Sequence, residues 1–186
     1  MALRKGKLVV ISGPSGSGKS TICRDVIRRT DAFLSVSCTT RKPGNAEVDG
    51  KDYWFISQDD FEKRIAAGGF IEYANVYGNY YGTPCQPVEA AVAAGKPAIL
   101  EIDVQGGMQV KKQYPEAVMV FIMPPTMESL ISRIEARGRG EDEQSKRRRL
   151  EAAQKEIETA RKTYDHIVVN DELERAIDDV VNIVQL

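Results

Sequence analysis

Residues 7–29 read KLVVISGPSGSGKSTICRDVIRR, and this stretch decides the fold. Lys7 to Ser12 is a short apolar run of strand formers, and Lys19 to Arg29 has the pattern of a helix. Between them lies Gly13-Pro14-Ser15-Gly16-Ser17-Gly18-Lys19-Ser20, a complete GxxxxGK[ST]. That pattern carries meaning directly after a strand and directly before a helix, and both flanks are in place. Glycines let the backbone turn and bring its N–H groups against an anion, and the helix N-terminus adds a fixed positive end. Lys19 offers a mobile charge to the outer oxygens of a polyphosphate, and the Ser20 hydroxyl can ligate Mg²⁺. Polyphosphate is the natural ligand of such a loop.

Further along, Ala98 to Val104 (AILEIDV), Val118 to Met123 (VMVFIM) and His166 to Val169 (HIVV) are short, rich in Val and Ile, and followed by helical stretches. Buried parallel strands read this way, so the fold class is α/β, a parallel sheet covered by helices. Glu143 to Lys162, with Leu150, Ala153 and Ile157 on one side, and Leu173 to Leu186 are expected to be covering helices. Ser37 to Gln86 breaks the rhythm. It is rich in Tyr, Gly, Asn and Thr, and predicts short strands at Asp52 to Ile56, Phe70 to Tyr77 and Asn79 to Thr83 around a helix that Ser57 caps and Gly68-Gly69 ends. Arg137 to Glu143 alternates glycine and charge, as a solvated connector does, and is a candidate lid. A single domain over residues 1–186 follows, with a core of about 1–36, 87–136 and 150–186, a β-rich insert of about 37–86, and a lid of about 137–149.

Composition excludes several classes. With 26 Lys+Arg against 27 Asp+Glu, the net charge of −1 provides no global field for gripping nucleic acid. No apolar run approaches the ~18 residues of a membrane span, and no secretion signal precedes the first strand, so a cytoplasmic protein is expected. Cys23, Cys38 and Cys85 lack metal-ligand spacing and His166 is the single histidine, which predicts reduced, buried or half-buried thiols.

Glu101 and Asp103 fall near the C-terminal end of a predicted strand, where ligands gather in open α/β sheets. The two-residue strand period puts them on one side, with Asp103 the candidate for the Mg²⁺ shell. The competing reading is that they cap the next helix near Gly106.

A phosphate loop alone does not name an acceptor. Across nearly the whole chain and in order, ISGPSGSGKST, SVSCTTRKPGNAEVDGKDYWF, FIEYANVYGNYYGT, ILEIDVQG, a helix opened by PP and ending in RGRG, RRRLEAAQKE and VVNDEL resemble the guanylate kinase family. The resemblance implies transfer of the γ-phosphoryl group of ATP to GMP, and to dGMP, with Mg²⁺. ATP would lie on Gly13 to Ser20 and Thr21, with Arg133, Arg137 and the turn at Asn170. The GMP base would meet Ser37 and Glu72, with Glu101 a further contact. Its phosphate would meet Arg41, Tyr53 and Tyr81, with Glu47 orienting Arg41, and Gly82 and Thr83 lining the pocket. Guanine presents N1–H and N2–H₂ donors beside the O6 acceptor, so a carboxylate that accepts two bonds selects it over adenine. The family's second phosphate arginine is matched here by Gly44, which Lys42 or Lys51 replaces only as a point charge. Tyr80 reads as hairpin surface.

A phosphate monoester has its second pKa near ~6, so the acceptor is already ionised at neutral pH and needs no general base. Catalysis then falls to positioning and charge neutralisation by Lys19, Arg41, Arg137 and Arg149, with Arg148 an alternative to Arg149 because the lid is about one residue longer than the family spacing. Competing readings are an inactive phosphopeptide-binding module and a kinase for another small phosphate. Intact Lys19 opposes the first and the Ser37/Glu72 pair the second. The protein is expected to be a monomer or small homo-oligomer.

Overall fold

The computed structural model describes residues 6–76, 78–136 and 143–186. At its centre is β1 (Leu8–Ser12), buried along its whole length. Around it runs a five-stranded parallel sheet in the order β2-β7-β1-β8-β9, comprising β2 (Phe33–Leu34), β7 (Ala98–Glu101), β8 (Val118–Met123) and β9 (His166–Val169). Alternate side chains of each strand go to opposite faces. Leu8, Val10, Leu100, Met119 and Phe121 pack with Val88 of α3 (Cys85–Ala93), Val110 of α4 (Val104–Gln113) and Ala160 of α6 (Glu143–Thr163). Val9, Ile11, Ile99, Val120 and Ile122 pack on the other face with Ile22 and Val26 of α1 (Lys19–Arg29) and Ile177 and Val180 of α7 (Leu173–Gln185). Both faces are covered, which is why these strands read as near-continuous apolar runs. The remaining helix, α5 (Met127–Ala136), follows β8 and leads toward the interval 137–142.

The insert forms a second sheet in the order β4-β3-β6-β5, built from β3 (Cys38–Thr39), β4 (Trp54–Phe55), β5 (Phe70–Val76) and β6 (Asn79–Pro84). The expected helix is α2 (Gln58–Ala66), and Ser57 caps it, its hydroxyl oxygen accepting from the Asp60 N–H at 3.1 Å. The chain leaves that helix through Gly68 at φ +66°, a conformation glycine adopts without strain. Phe61 stacks on Phe70 and Tyr80 at centroid distances of 4.3 and 5.1 Å, a small core of its own. Tyr80, read from sequence as half-buried hairpin surface, is half-buried and packs its ring on Phe61. Gln109 on α4 fastens this sheet to the core: its Oε1 accepts from the Tyr73 N–H at 3.3 Å and its Nε2 donates to the Tyr73 carbonyl at 3.1 Å. One side chain thus stands in for a neighbouring strand at the edge of β5.

Two expectations need correction. The run Ala98 to Val104 is strand only as far as Glu101, because Asp103 caps α4 and Val104 is already helical. The strand expected at Asp52 to Ile56 is reduced to Trp54–Phe55. Two short strands, β2 and β3, had no counterpart in the sequence reading. The cysteines are free, with Cys23 and Cys38 buried and Cys85 half-buried. No described helix is long and apolar enough to cross a membrane.

Candidate active site

The phosphate loop leaves the central strand and turns through Gly16 and Gly18, both at φ +92°. Gly18 precedes α1, and a Cβ there would lie 2.3 Å from the Asn170 amide nitrogen, so only glycine fits. Asn170 is buried, and its Nδ2 donates to the Ser17 carbonyl at 2.7 Å. Arg133 donates through Nη2 to the Asn170 carbonyl at 3.0 Å and through Nη1 to the Ser17 carbonyl at 3.5 Å. Arg133 and Asn170, two of the residues expected near ATP, thus brace the loop through the Ser17 carbonyl, and the Asn170 amide is committed to that bond. Lys19 Nζ lies over the loop and donates to the Gly13 carbonyl at 3.3 Å.

Strand register explains the acidic group beside the loop. Ile11 pairs with Glu101, which brings Glu101 to the mouth of the turn that follows β1. There Ser20 Oγ donates to Glu101 Oε1 at 2.5 Å. Asp103 is exposed two residues beyond the strand end, so the strand period does not align it with Glu101. Its Oδ1 accepts from the Gly106 N–H at 2.8 Å, the capping reading of this acid. The Ser20 hydroxyl with the Glu101 and Asp103 carboxylates makes an all-oxygen set, as a hard divalent cation requires. No group of three or more His, Cys, Asp and Glu side chains among the described residues is gathered for a metal. A cation here would therefore draw most of its ligands from water and polyphosphate. Behind this group, Tyr164 donates to Ser12 Oγ at 2.7 Å and Ser12 Oγ to the Asp103 carbonyl at 3.3 Å. Burial pushes the Tyr164 hydroxyl up to about 12, so it stays protonated and keeps that bond at any working pH.

Across the cleft, Glu72 is 6% exposed and accepts a hydrogen bond from Thr83 Oγ1 at 2.6 Å. Burial raises its pKa, which the Thr83 bond opposes and the charge of Asp103 reinforces. Thr83 therefore orients the carboxylate. Gly82 is a packing requirement, since a Cβ there would lie 3.0 Å from the Glu72 carbonyl and from the rings of Phe61 and Phe70.

Arg41 is held as a fork. Its Nη1 and Nη2 donate to Glu47 Oε2 and Oε1 at 2.8 and 2.7 Å, and its Nε donates to the Tyr81 hydroxyl at 3.2 Å. The guanidinium also lies over the Tyr53 ring, 5.5 Å from its centroid. Bonds from Arg41 and from the Gly44 N–H hold the Glu47 carboxyl at about 2, so the pair stays ionised far below neutral pH. Glu47 thus holds Arg41 in place, and Tyr53, Tyr81 and Arg41 form one group. Gly44 lacks a positive φ, and a Cβ there would meet only the Glu47 carboxylate, Oε2 at 3.2 Å. Arginine there meets no backbone strain and requires the Glu47 carboxylate to give by a few tenths of an ångström. Gly44→Arg is expected to lower the KM for GMP by roughly tenfold by adding a charge-assisted phosphate bond, measured by steady-state kinetics at saturating ATP. An unchanged KM would mean that no second fork is missing.

One cleft of about 680 Å³ runs from Gly13, Lys19 and Ser20 past Glu101 to Ser37, Tyr53, Glu72 and Tyr81, while Arg41, Glu47, Thr83, Arg133 and Asn170 stand behind its lining. From α6, Arg149 and Glu156 also line it. Arg149 is half-buried in the cleft wall and Arg148 is exposed. Arg137 and Arg139 lie outside the described residues. Lys42 and Lys51 are exposed on the insert, and His166 is exposed at the start of β9. Glu156 is the residue that sequence reasoning missed. Its signal was an acid at helical spacing among Ala153, Ile157 and Ala160, on a face that otherwise reads as buried.

The guanylate kinase family model matches residues 5–186. A guanylate kinase of Symbiobacterium thermophilum is 52% identical over 93% of this chain and 82% of its own length. One from Clostridium acetobutylicum is 48% identical over 97% and 86%, and one from Fusobacterium nucleatum 46% identical over 97% and 96%. The crystal structure of guanylate kinase from Anaplasma phagocytophilum superposes with a TM-score of 0.79 at 32% identity, covering 98% of this chain and 86% of that one. With a phosphate loop at the head of a parallel sheet, a facing β insert and full-length similarity, the chain belongs to the guanylate kinase family.

Proposed function

We propose that the protein transfers the γ-phosphoryl group of ATP to GMP and dGMP, forming ADP and GDP or dGDP in cytoplasmic purine nucleotide metabolism. The observation that carries this reading is the single cleft with a polyphosphate cradle at one end and a buried, oriented carboxylate at the other. ATP enters with its phosphates on the loop and Lys19, and GMP with its base toward Ser37 and Glu72 and its phosphate toward Arg41, Tyr53 and Tyr81. The acceptor oxygen attacks the γ-phosphorus, the bond to the β-phosphate oxygen breaks, and that oxygen leaves on ADP. Lys19, Arg41, Arg149 and Arg137 neutralise the charge spread over the transferring group. Mg²⁺ bound by Ser20 with Glu101 or Asp103 would supply electrostatic stabilisation to the phosphate oxygens. The all-oxygen set beside the loop supports that role.

Water competes with GMP for an open, ATP-loaded site, so transfer-competent geometry is best formed only when both nucleotides draw the insert and the 137–149 lid over the core. The reading as a binding module without catalysis leaves the intact cradle and Lys19 unexplained. ADP formation should be measured with ATP, Mg²⁺ and each of GMP, dGMP, AMP, CMP and UMP. Turnover with the two guanine nucleotides alone is expected. ATP binding without turnover would favour the module, and turnover with AMP, CMP or UMP would remove the role given to Glu72.

A further inference from the structure

Among the polar groups that line the cleft, Glu156 has no role in the reading above. It sits on α6 seven residues after Arg149, two helical turns along the same face, between the buried Ala153 and Ala160. Its Oε2 is shielded from solvent and has no hydrogen-bond partner among the described residues. Burial raises its pKa, the charge of Asp103 raises it further, and Lys19 works against both. Glu156 therefore feels the charges of the phosphate-loop lysine and of the acid beside the Ser20–Glu101 pair, and it shares their cleft.

A carboxylate oxygen shielded from water and left without a donor costs stability, and an ionised carboxylate can only accept. The Tyr164 hydroxyl, which feels the charge of Glu156, already donates to Ser12. A polyphosphate brings only acceptor oxygens of the same charge, so ATP itself would repel Glu156. The donor that arrives with ATP is the hydration shell of its divalent cation, because Mg²⁺ keeps several of its waters when it binds. We infer that Glu156 is a positioning residue that accepts hydrogen bonds from the hydration shell of ATP-bound Mg²⁺, fixing the cation between α6 and the Ser20–Glu101 pair. The inference rests on the proposed use of this cleft by ATP.

Calorimetric ATP titrations of the full chain, at saturating Mg²⁺ and in EDTA, test it with Glu156→Gln and Glu156→Ala. The expected result is that the factor by which Mg²⁺ tightens ATP binding falls about tenfold in the alanine variant and less in the glutamine variant, whose amide oxygen still accepts. In EDTA both variants should bind ATP as well as wild type or better, since a repelling charge is gone. Both should also melt no lower than wild type, because the group removed is unsatisfied in the free protein. An unchanged Mg²⁺ factor, or equal weakening with and without metal as a Lys19-orienting carboxylate would give, overturns the inference. A wild-type protein that binds no ATP would instead overturn the proposed function, and this inference with it.

Discussion

Lys19→Ala is expected to lower kcat for GDP formation by roughly 10²–10³-fold, the scale on which a preorganised donor to a developing anion acts. Among the described residues the ammonium has one hydrogen bond, a 3.3 Å contact to the Gly13 carbonyl at the base of the loop. Its removal leaves the braces from Asn170 and Arg133 intact, so the loop should keep its shape and the melting temperature should stay near that of wild type. The loss should therefore appear in turnover. Steady-state kinetics with thermal unfolding on the same preparation separates the two. A variant of wild-type kcat would place the charge neutralisation elsewhere.

Glu72→Gln should be as damaging and more selective. The substitution keeps shape and volume but replaces an acceptor with a donor, opposite a guanine edge that presents only donors at N1 and N2. Sites built to pair polar groups penalise such a mismatch by several orders of magnitude, and a fall in kcat/KM for GMP of roughly 10²–10⁴-fold is expected. ATP binding, which uses the opposite end of the cleft, should be unaffected. Wild-type pH dependence carries the same information. Burial raises the Glu72 pKa, and guanine binds the ionised form, so the KM for GMP should climb as pH falls through that raised value. At higher pH the carboxylate is already ionised and this dependence ends. The glutamine variant should lack the acid-side rise. If both proteins show the same acid limb, Glu72 is not the group that reads the base.

The residues recoverable from sequence were those whose signal is local. The loop at 13–20 declares itself because strand, glycines, lysine and helix are contiguous, and β8 because two-sided burial writes an unbroken apolar run. Ser57 followed by acids marked the start of α2 for the same reason. What escaped depends on partners distant in the chain. The brace formed by Asn170 spans 153 positions and the one from Arg133 to Asn170 spans 37, and neither leaves a pattern in its own neighbourhood. The two-residue strands β2 and β3 are too short to show a period. Asp103 was ambiguous because an acid near a strand end serves equally as metal ligand and as helix cap, and here the cap sets where the strand stops. Glu156 required knowing that α6 turns that face to the cleft.

The central claim is that two anionic nucleotides meet end to end in this cleft and exchange a phosphoryl group without release to water. It is tested most directly by following the label from γ-³²P ATP mixed with GMP, Mg²⁺ and the purified protein. Label appearing in the β-phosphate of GDP in step with ADP formation, with little as inorganic phosphate, is the predicted result. Label accumulating as inorganic phosphate while GMP stays unchanged would contradict it.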